Sequence, residues 1–114
     1  MVNKKYIPDR GDIVWMDFSP TRGHEQSLVR PALVLSPKAY NQKAGLMIVC
    51  AVTSQIKGYP YEVLVQGKKI TGVILSDQIR SVAWKEREAS FAQKVQQFVI
   101  GEVEEKLATL LFGN

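Results

Sequence analysis

The chain has 114 residues, of which 46% are hydrophobic and 23% charged, values that exclude an intrinsically disordered or fibrous protein. Its length is close to that of one compact domain, and we expect a single domain over residues 1–114. Fifteen Lys and Arg against eleven Asp and Glu give a net charge of +4, which favours phosphate backbones or an acidic protein as partners. Cys50 is the only cysteine, which excludes an internal disulfide, and we expect it to be buried.

No targeting or membrane segment is predicted. The basic start of the chain is not followed by an apolar h-region, so a signal peptide is not expected. The longest apolar run, residues 46–52, is far shorter than the roughly 18 residues that a membrane span needs. We therefore expect a cytoplasmic protein with no membrane partner.

Short strands separated by turn residues are predicted along the first four-fifths of the chain. The first covers residues 13–18 and ends in a polar loop that runs from Ser19 to Val29. The apolar run at residues 32–35 predicts a strand covered on both faces, with Arg30 at its entrance. Further strands are predicted at residues 46–52, 61–65, 72–75, 81–84 and 89–92, with a turn at 67–69, a polar loop at 76–80 and a charged connection at 85–88.

A helical pattern is predicted only at the end of the chain. Four apolar residues recur at the spacing of one helical face: Val103, Leu107, Leu110 and Leu111. Three glutamates fall in the predicted first turn, at 102, 104 and 105, and Gly113 is expected to end the helix. A string of strands followed by one helix indicates an α+β, mainly β fold, either a small barrel or a sandwich.

The sequence lacks the motifs of several common metal-binding and nucleotide-binding sites. It has one His and one Cys, and it lacks the His-Glu-x-x-His, Cys-x-x-Cys, phosphate-loop and dinucleotide-binding motifs. We therefore expect a protein without a metal or another cofactor. Polar groups instead concentrate in three predicted loops at strand ends: residues 22–30, 53–61 and 76–80.

If these loops converge, they bring together groups that suit phosphodiester chemistry. RNA cleavage without a metal requires that the ribose 2′-hydroxyl lose a proton, that the phosphorane be stabilised and that the leaving 5′-oxygen gain a proton. Arginine is a poor base at neutral pH, so Arg30 is predicted to stabilise charge, while Thr53 can donate to a phosphate oxygen. The other candidates are the cations Lys57 and Arg80, the carboxylates Glu25 and Asp77, the hydroxyl of Ser54 and the imidazole of His24.

Six short motifs lie between residues 9 and 84: Gly11-Asp12-Ile13-Val14-Trp15, Gly23-His24-Glu25-Gln26, Arg30-Pro31-Ala32-Leu33-Val34-Leu35-Ser36, Tyr40-Asn41, Val52-Thr53-Ser54 and Asp77-Gln78-Ile79-Arg80. Together they closely resemble the MazF/PemK family of toxin endoribonucleases, also called mRNA interferases. The segments 6–9, 57–60 and 81–84 are most similar to the MazF branch.

The resemblance implies both a fold and an activity. The implied fold is an SH3-like small barrel of the CcdB/PemK type with a C-terminal helix, assembled as a homodimer. The implied activity is that of a type II toxin-antitoxin toxin, which cleaves single-stranded RNA, including mRNA, at short sequences without a metal. Cleavage through the 2′-hydroxyl would leave a 2′,3′-cyclic phosphate and a 5′-hydroxyl and would inhibit translation and growth. The implied partner is a cognate antitoxin with an acidic C-terminal tail.

The resemblance also assigns residues. Arg30 and Thr53 match the principal catalytic pair of the family, and Glu25 joins them as a catalytic residue. The PemK branch gives its histidine a catalytic part together with an arginine, but that arginine is Leu75 here, so Arg30 and Thr53 are preferred to His24. Residues expected to bind RNA or to support cleavage are His24, Gln26, Ser54, Gln55, Lys57, Tyr59, Asp77, Gln78 and Arg80.

Two other classes of function remain open. One is a gyrase-poisoning toxin on the same fold, acting through exposed residues near the final helix. The other is a non-catalytic barrel that binds RNA or protein. Trp15 and Trp84 could stack on bases, but aromatic residues within apolar strand patterns are more often core or dimer residues.

Overall fold

A computed structural model describes residues 6–19 and 28–113 of the chain. Within these ranges the chain forms strands β1 (Asp12–Asp17) and β2 (Val29–Val34), helix α1 (Lys38–Ala44), strands β3 (Leu46–Thr53), β4 (Glu62–Val65), β5 (Gly72–Ala83) and β6 (Ser90–Lys94), and helix α2 (Gln97–Phe112). No helix in this described part is long and apolar enough to cross a membrane.

The strands form one sheet in the order β4-β5-β3-β2-β1-β6, and every neighbouring pair is antiparallel. The sheet curls so that the turn between β4 and β5 reaches β6 at the opposite edge. Gln93 on β6 accepts hydrogen bonds from the backbone N–H groups of Lys69 and Ile70, which lie in the turn between β4 and β5. The result is a half-barrel with α2 packed against β4 and β5, in agreement with the predicted mainly β fold and C-terminal helix.

Both faces of the central strands are buried, as the apolar run in β2 predicts. Leu33 belongs to a core cluster that includes Cys50 and the buried residues of α2, whereas Ala32 and Val34 belong to a second cluster around Met47. Neighbouring residues of a strand point to opposite faces, so each strand contributes to both clusters. These two cores hold the strands in register, because a shift by one residue would exchange every buried and exposed side chain.

Helix α1 was not predicted, and the expectation of a single C-terminal helix is wrong. This helix has seven residues and buries only Asn41, so it shows no apolar stripe in the sequence. The Asn41 amide donates to the backbone oxygens of Pro8 and Ser36 at 2.8 and 3.1 Å and accepts from the Ser36 hydroxyl at 2.6 Å. A hydrogen-bond network around one buried polar side chain therefore anchors α1. Such a network leaves no periodic apolar pattern in the sequence from which the helix could be predicted.

The prediction of two strands separated by a polar loop at residues 76–80 is also wrong. One strand, β5, runs from Gly72 to Ala83. Its pairing with β3 is interrupted, since the pair Val52 and Ile74 is followed by the pair Cys50 and Ile79. Residues 75–78 of β5 thus lie opposite Ala51 alone, and the predicted loop is a bulge within a continuous strand.

Helix α2 begins earlier than the glutamates indicate. It starts at Gln97, so its first turn contains no acidic residue and the predicted interaction of three glutamates with the helix dipole is wrong. Val99, Ile100 and Val103 are its buried residues, whereas Leu110 and Leu111 are 44% and 63% exposed and lie outside the core. The predicted end at Gly113 is confirmed, and the Gly113 N–H donates to the Thr109 oxygen.

Candidate functional site

The two strongest candidate residues lie near each other at one end of the sheet. The pairing of β2 with β3 ends at Ala32 and Ala51, and Arg30 and Thr53 each lie two residues beyond that pair, towards the same end. Arg30 is exposed and Thr53 is half-buried, so both side chains are available at the sheet surface. They line a common cleft of about 280 Å³, close to the lower limit of roughly 300 Å³ for ligand pockets.

We call this the first cleft. It opens at the ends of β2 and β3 and is closed by the β3–β4 loop on one side and by the bulge of β5 on the other. Its lining combines polar and apolar groups from six segments of the chain: Phe18, Arg30, Ala51, Val52, Thr53, Gln55, Lys57, Tyr59, Glu62, Leu75, Asp77 and Gln78.

The hydroxyl of Thr53 is oriented by the chain that follows it. The backbone N–H of Gln55 donates to the Thr53 oxygen at 3.2 Å. Because this contact uses the oxygen as an acceptor, the hydroxyl proton remains available for a ligand oxygen. The local turn thus presents Thr53 as a hydrogen-bond donor to the first cleft.

Gly72 allows β5 to approach Thr53 closely. A Cβ atom at Gly72 would lie 2.2 Å from the backbone oxygen of Thr53 and 3.0 Å from the Cα of Ser54, and neither backbone group can move aside cheaply. The position therefore requires glycine for steric reasons. Gly72 fixes the distance between β5 and the segment that carries the candidate threonine.

The β3–β4 loop carries Lys57 into the first cleft and is held by Glu62. The backbone N–H groups of Lys57 and Gly58 donate to the two carboxylate oxygens of Glu62 at 3.0 and 2.9 Å. Lys106 on α2 donates to the backbone oxygen of Pro60 at 2.6 Å and supports the far side of the same loop. Glu62 therefore acts as a brace for the loop, although it also lines the cleft.

Asp77 reaches the first cleft from the bulge of β5. Its charge also affects the thiol of Cys50, which is buried behind it. Burial, and secondly the negative charge of Asp77, raise the pKa of Cys50 from 9.0 to about 12. The Cys50 side chain is fully buried, which confirms the expectation for this residue.

A second cleft adjoins the first at Arg30 and Thr53. It shares Arg30, Val52 and Thr53 with the first cleft. Its remaining lining residues come from β1, β2, the residue that follows β3 and the β4–β5 turn: Trp15, Pro31, Ser54, Lys69, Ile70 and Thr71. Arg30 and Thr53 thus line both clefts, and we call this pair of residues the ridge.

The structure brings most of the predicted site residues together. Arg80 lies just outside the first cleft, with its guanidinium carbon 5.4 Å from the centre of the Phe18 ring. Ser54 lines the second cleft and not the first. Three predicted residues, His24, Glu25 and Gln26, fall outside the described residues. Those gathered in the first cleft are Arg30, Thr53, Gln55, Lys57, Tyr59, Asp77 and Gln78.

Phe18, Glu62 and Gly72 were missed by sequence reasoning. Phe18 and Glu62 fall within the predicted strands at residues 13–18 and 61–65, and neither was a candidate site residue. A glycine at the start of a strand is a weak signal of close backbone approach, and this signal could have identified Gly72. The charged segment 85–88 also gains an explanation, because the Arg87 guanidinium donates to the backbone oxygens of Asp17 and Ser19.

Fold and site together define a class of protein: a small antiparallel half-barrel in which an exposed arginine and a half-buried threonine line two clefts of mixed polar and apolar character. A family model described as PemK-like, MazF-like toxin of type II toxin-antitoxin system matches residues 9–111. The chain belongs to this family.

Individual relatives agree with this membership. Endoribonuclease toxin MazF of Escherichia coli strain K12 is 50% identical over 86 residues, which cover 75% of this chain and 78% of the relative. Endoribonuclease PemK of Escherichia coli is 33% identical over 116 residues, covering 97% of this chain and 87% of the relative.

Solved structures confirm the predicted SH3-like small barrel of the CcdB/PemK type. MazF from Deinococcus radiodurans superposes with a TM-score of 0.85 at 48% identity, covering 94% of this chain and 98% of that one. A MazE-MazF structure from the same organism gives a TM-score of 0.84 at 42% identity, covering 96% of this chain and 100% of that one.

Replacing Gly72 with alanine tests the close approach of β5 to Thr53. We expect Gly72→Ala to lower the free energy of unfolding by about 1–3 kcal/mol, because the added methyl group must displace backbone. Gly101→Ala is the matched control, since a Cβ at Gly101 on α2 has no neighbour within 4 Å. Denaturant unfolding measures both variants, and equal stability of the two would contradict the steric argument.

The thiol of Cys50 gives a second test. We expect a thiol reagent at pH 8 to label Cys50 at least about a hundredfold more slowly in the folded protein than in denaturant, because folding buries the thiol and keeps it protonated. The raised pKa of Cys50 also favours the folded state below pH 9.0, and this contribution is lost as the pH rises towards about 12. Equally rapid labelling of folded and unfolded protein would show that the thiol is accessible.

Proposed function

We propose that this chain is the toxin of a type II toxin-antitoxin system and acts as a metal-independent, sequence-specific endoribonuclease on single-stranded RNA, including mRNA. Cleavage of mRNA stops translation and growth. The observation that carries the proposal is the ridge, since Arg30 and Thr53 come together at one end of β2 and β3 and line both clefts. An arginine fork beside a threonine donor suits a phosphate group with developing negative charge.

The proposed reaction uses the ribose of the substrate as the nucleophile. The 2′-oxygen loses its proton and attacks the adjacent phosphorus, and the bond from phosphorus to the 5′-oxygen breaks. The leaving 5′-oxygen takes up a proton, so the products carry a 2′,3′-cyclic phosphate and a 5′-hydroxyl. No water is consumed in this step.

Each side chain on the ridge has a proposed role in that step. Arg30 stabilises the charge of the phosphorane with its parallel N–H donors, and Thr53 donates to a non-bridging phosphate oxygen. The Gln55 N–H supports this role because it occupies the Thr53 oxygen as an acceptor. Glu25, which precedes β2 by four residues, completes the proposed catalytic set as an orienting or proton-transferring carboxylate.

The remaining groups of the first cleft are proposed to hold the RNA. Lys57 offers a cation from the braced β3–β4 loop, and Tyr59 in the same loop is 57% exposed, so its ring can stack on a base. Amide and carboxylate groups can read base edges. The proposed RNA-binding or supporting residues are His24, Gln26, Ser54, Gln55, Lys57, Tyr59, Asp77, Gln78 and Arg80.

The relatives support the proposed substrate and partner. E. coli MazF and PemK are named endoribonucleases, and MazF of D. radiodurans has been solved together with MazE. We propose that a cognate antitoxin with an acidic C-terminal tail inhibits this chain by competing with RNA for its cationic groups. Salt should weaken both interactions, since each depends on exposed charges. We also propose that the chain acts as a cytoplasmic homodimer.

Cleavage in excess chelator tests the proposed chemistry. We expect purified protein to cut a long mixed-sequence single-stranded RNA with EDTA present, leaving 2′,3′-cyclic phosphate ends, because the ridge supplies the charge stabilisation. Sequencing of the new ends reports the end chemistry and the recognised bases together. A strict requirement for magnesium would refute the mechanism, and intact RNA with inhibited supercoiling would favour a gyrase poison instead.

Substitutions on the ridge test the assigned residues. We expect Arg30→Ala to lower kcat by about 10²–10³-fold, the usual effect of removing one transition-state donor, and Thr53→Val to lower it by a smaller factor. Lys43→Ala and Thr109→Val are the matched controls, because both residues are exposed and lie outside the two clefts. Circular dichroism checks the fold. Unchanged cleavage and toxicity in the ridge variants would favour a non-catalytic barrel.

A further inference from the structure

The two clefts differ in their balance of charge. Among the described residues, the first cleft is lined by the cations Arg30 and Lys57 but also by the carboxylates of Glu62 and Asp77. The second cleft is lined by Arg30 and Lys69, and no carboxylate is among its described lining residues. Among the described residues, the charges lining the first cleft balance, whereas those lining the second cleft leave a net positive charge. A polyanionic strand is therefore attracted more strongly to the second cleft.

The turn that carries Lys69 is firmly built. The Gln93 side-chain oxygen accepts from the backbone N–H groups of Lys69 and Ile70 at 3.2 and 2.9 Å, and its nitrogen donates to the Ile70 oxygen at 3.2 Å. The Thr71 hydroxyl donates to the backbone oxygen of Gly67 and closes the turn from within. A Cβ at Gly67 would lie 2.1 Å from the Gln93 amide, so the side chain packs directly on the turn.

Lys68 and Lys69 are adjacent, exposed and equally charged, but only Lys69 lines the second cleft. Within the described residues neither lysine forms an ion pair. The Lys69 ammonium group is thus available to an anion. The hydrogen bonds between the Gln93 side chain and the turn, which we call the Gln93 clamp, fix the backbone from which Lys69 extends. The hydroxyl of Ser54 is exposed in the same cleft and adds a second donor.

We propose that the second cleft is a subsite for the RNA strand that flanks the cleaved link, with Lys69 contacting a backbone phosphate. The inference rests on the proposed function of the ridge. A single strand with its reacting phosphate on Arg30 and Thr53 has one flank in the first cleft and the other flank in the second. Lys57 and Lys69 then hold backbone phosphates on opposite sides of the cleaved link, and Gln93 is a positioning residue for Lys69.

The two neighbouring lysines provide the test. Binding is measured by fluorescence anisotropy with a labelled single-stranded RNA whose 2′-hydroxyls are all methylated, so that it cannot supply the nucleophile. We expect Lys69→Ala to weaken binding by about threefold to tenfold and to reduce the slope of log affinity against log salt by about 0.7, the value for one phosphate contact on a single strand. Lys68→Ala, which removes the same charge one residue away, is expected to leave both quantities nearly unchanged.

The Gln93 clamp has its own test. Gln93→Leu should weaken RNA binding when Lys69 is present but should have little further effect in the Lys69→Ala background, because its role is to place that lysine. A purely structural role would weaken binding equally in both backgrounds and would overturn the assignment of Gln93. Thermal unfolding of each variant confirms that the comparison concerns folded protein.

RNAs shortened on one side of the cleavage site show which flank of the strand occupies the second cleft. Once the cleavage site is mapped, substrates are truncated nucleotide by nucleotide on either side of it. The effect of Lys69→Ala on KM should disappear in one of the two truncation series and persist in the other. Persistence in both series, or equal losses for Lys68→Ala and Lys69→Ala, would mean that the turn contributes only diffuse charge and would overturn the subsite.

The subsite and the proposed reaction can fail separately. Cleavage of unmodified RNA by the wild-type chain, together with equal binding by the two lysine variants, would refute the second cleft alone. Selective loss of binding in Lys69→Ala, together with no cleavage of any unmodified RNA, would refute the ribonuclease mechanism and leave the cleft as an RNA-binding surface.

Discussion

The pairing register between β2 and β3 is the constraint on which the site depends. It brings Arg30 and Thr53 to the same end of two strands whose central residues are buried on both faces. A slip by one residue would separate the pair and expose core side chains, so stability of the barrel and geometry of the ridge are maintained by the same contacts. Gly72 adds a second constraint by admitting β5 against the backbone of Thr53.

Patterns with a regular period were predicted well from the sequence. The apolar run of β2 indicated a strand covered on both faces, Cys50 was expected to be buried, and the half-barrel with a C-terminal helix follows the resemblance. The resemblance also predicted Arg30 and Thr53 as the principal catalytic pair. What the sequence did not indicate was that these two residues line two clefts, because the second cleft requires the turn between β4 and β5 to fold back to β6.

The elements that were predicted wrongly depend on interactions that leave no periodic pattern in the sequence. Helix α1 depends on the hydrogen bonds of one buried asparagine, Asn41, and not on an apolar face. The polar residues 76–80 looked like a loop, but β5 continues through them, and its bulge at residues 75–78 includes Asp77, which lines the first cleft. Helix α2 starts before its glutamates because Val99 and Ile100 bury its first turns, an effect of tertiary packing that overrides the charge pattern.

The central claim is that Arg30 and Thr53 act as one unit on one phosphate. A double-mutant cycle on the single-turnover cleavage rate tests it most directly, with Arg30→Ala, Thr53→Val and the double variant compared on the same RNA. If the two donors stabilise the same transition state, the double variant should lose little more activity than Arg30→Ala alone. Fully additive losses, as for independent sites, would contradict the account.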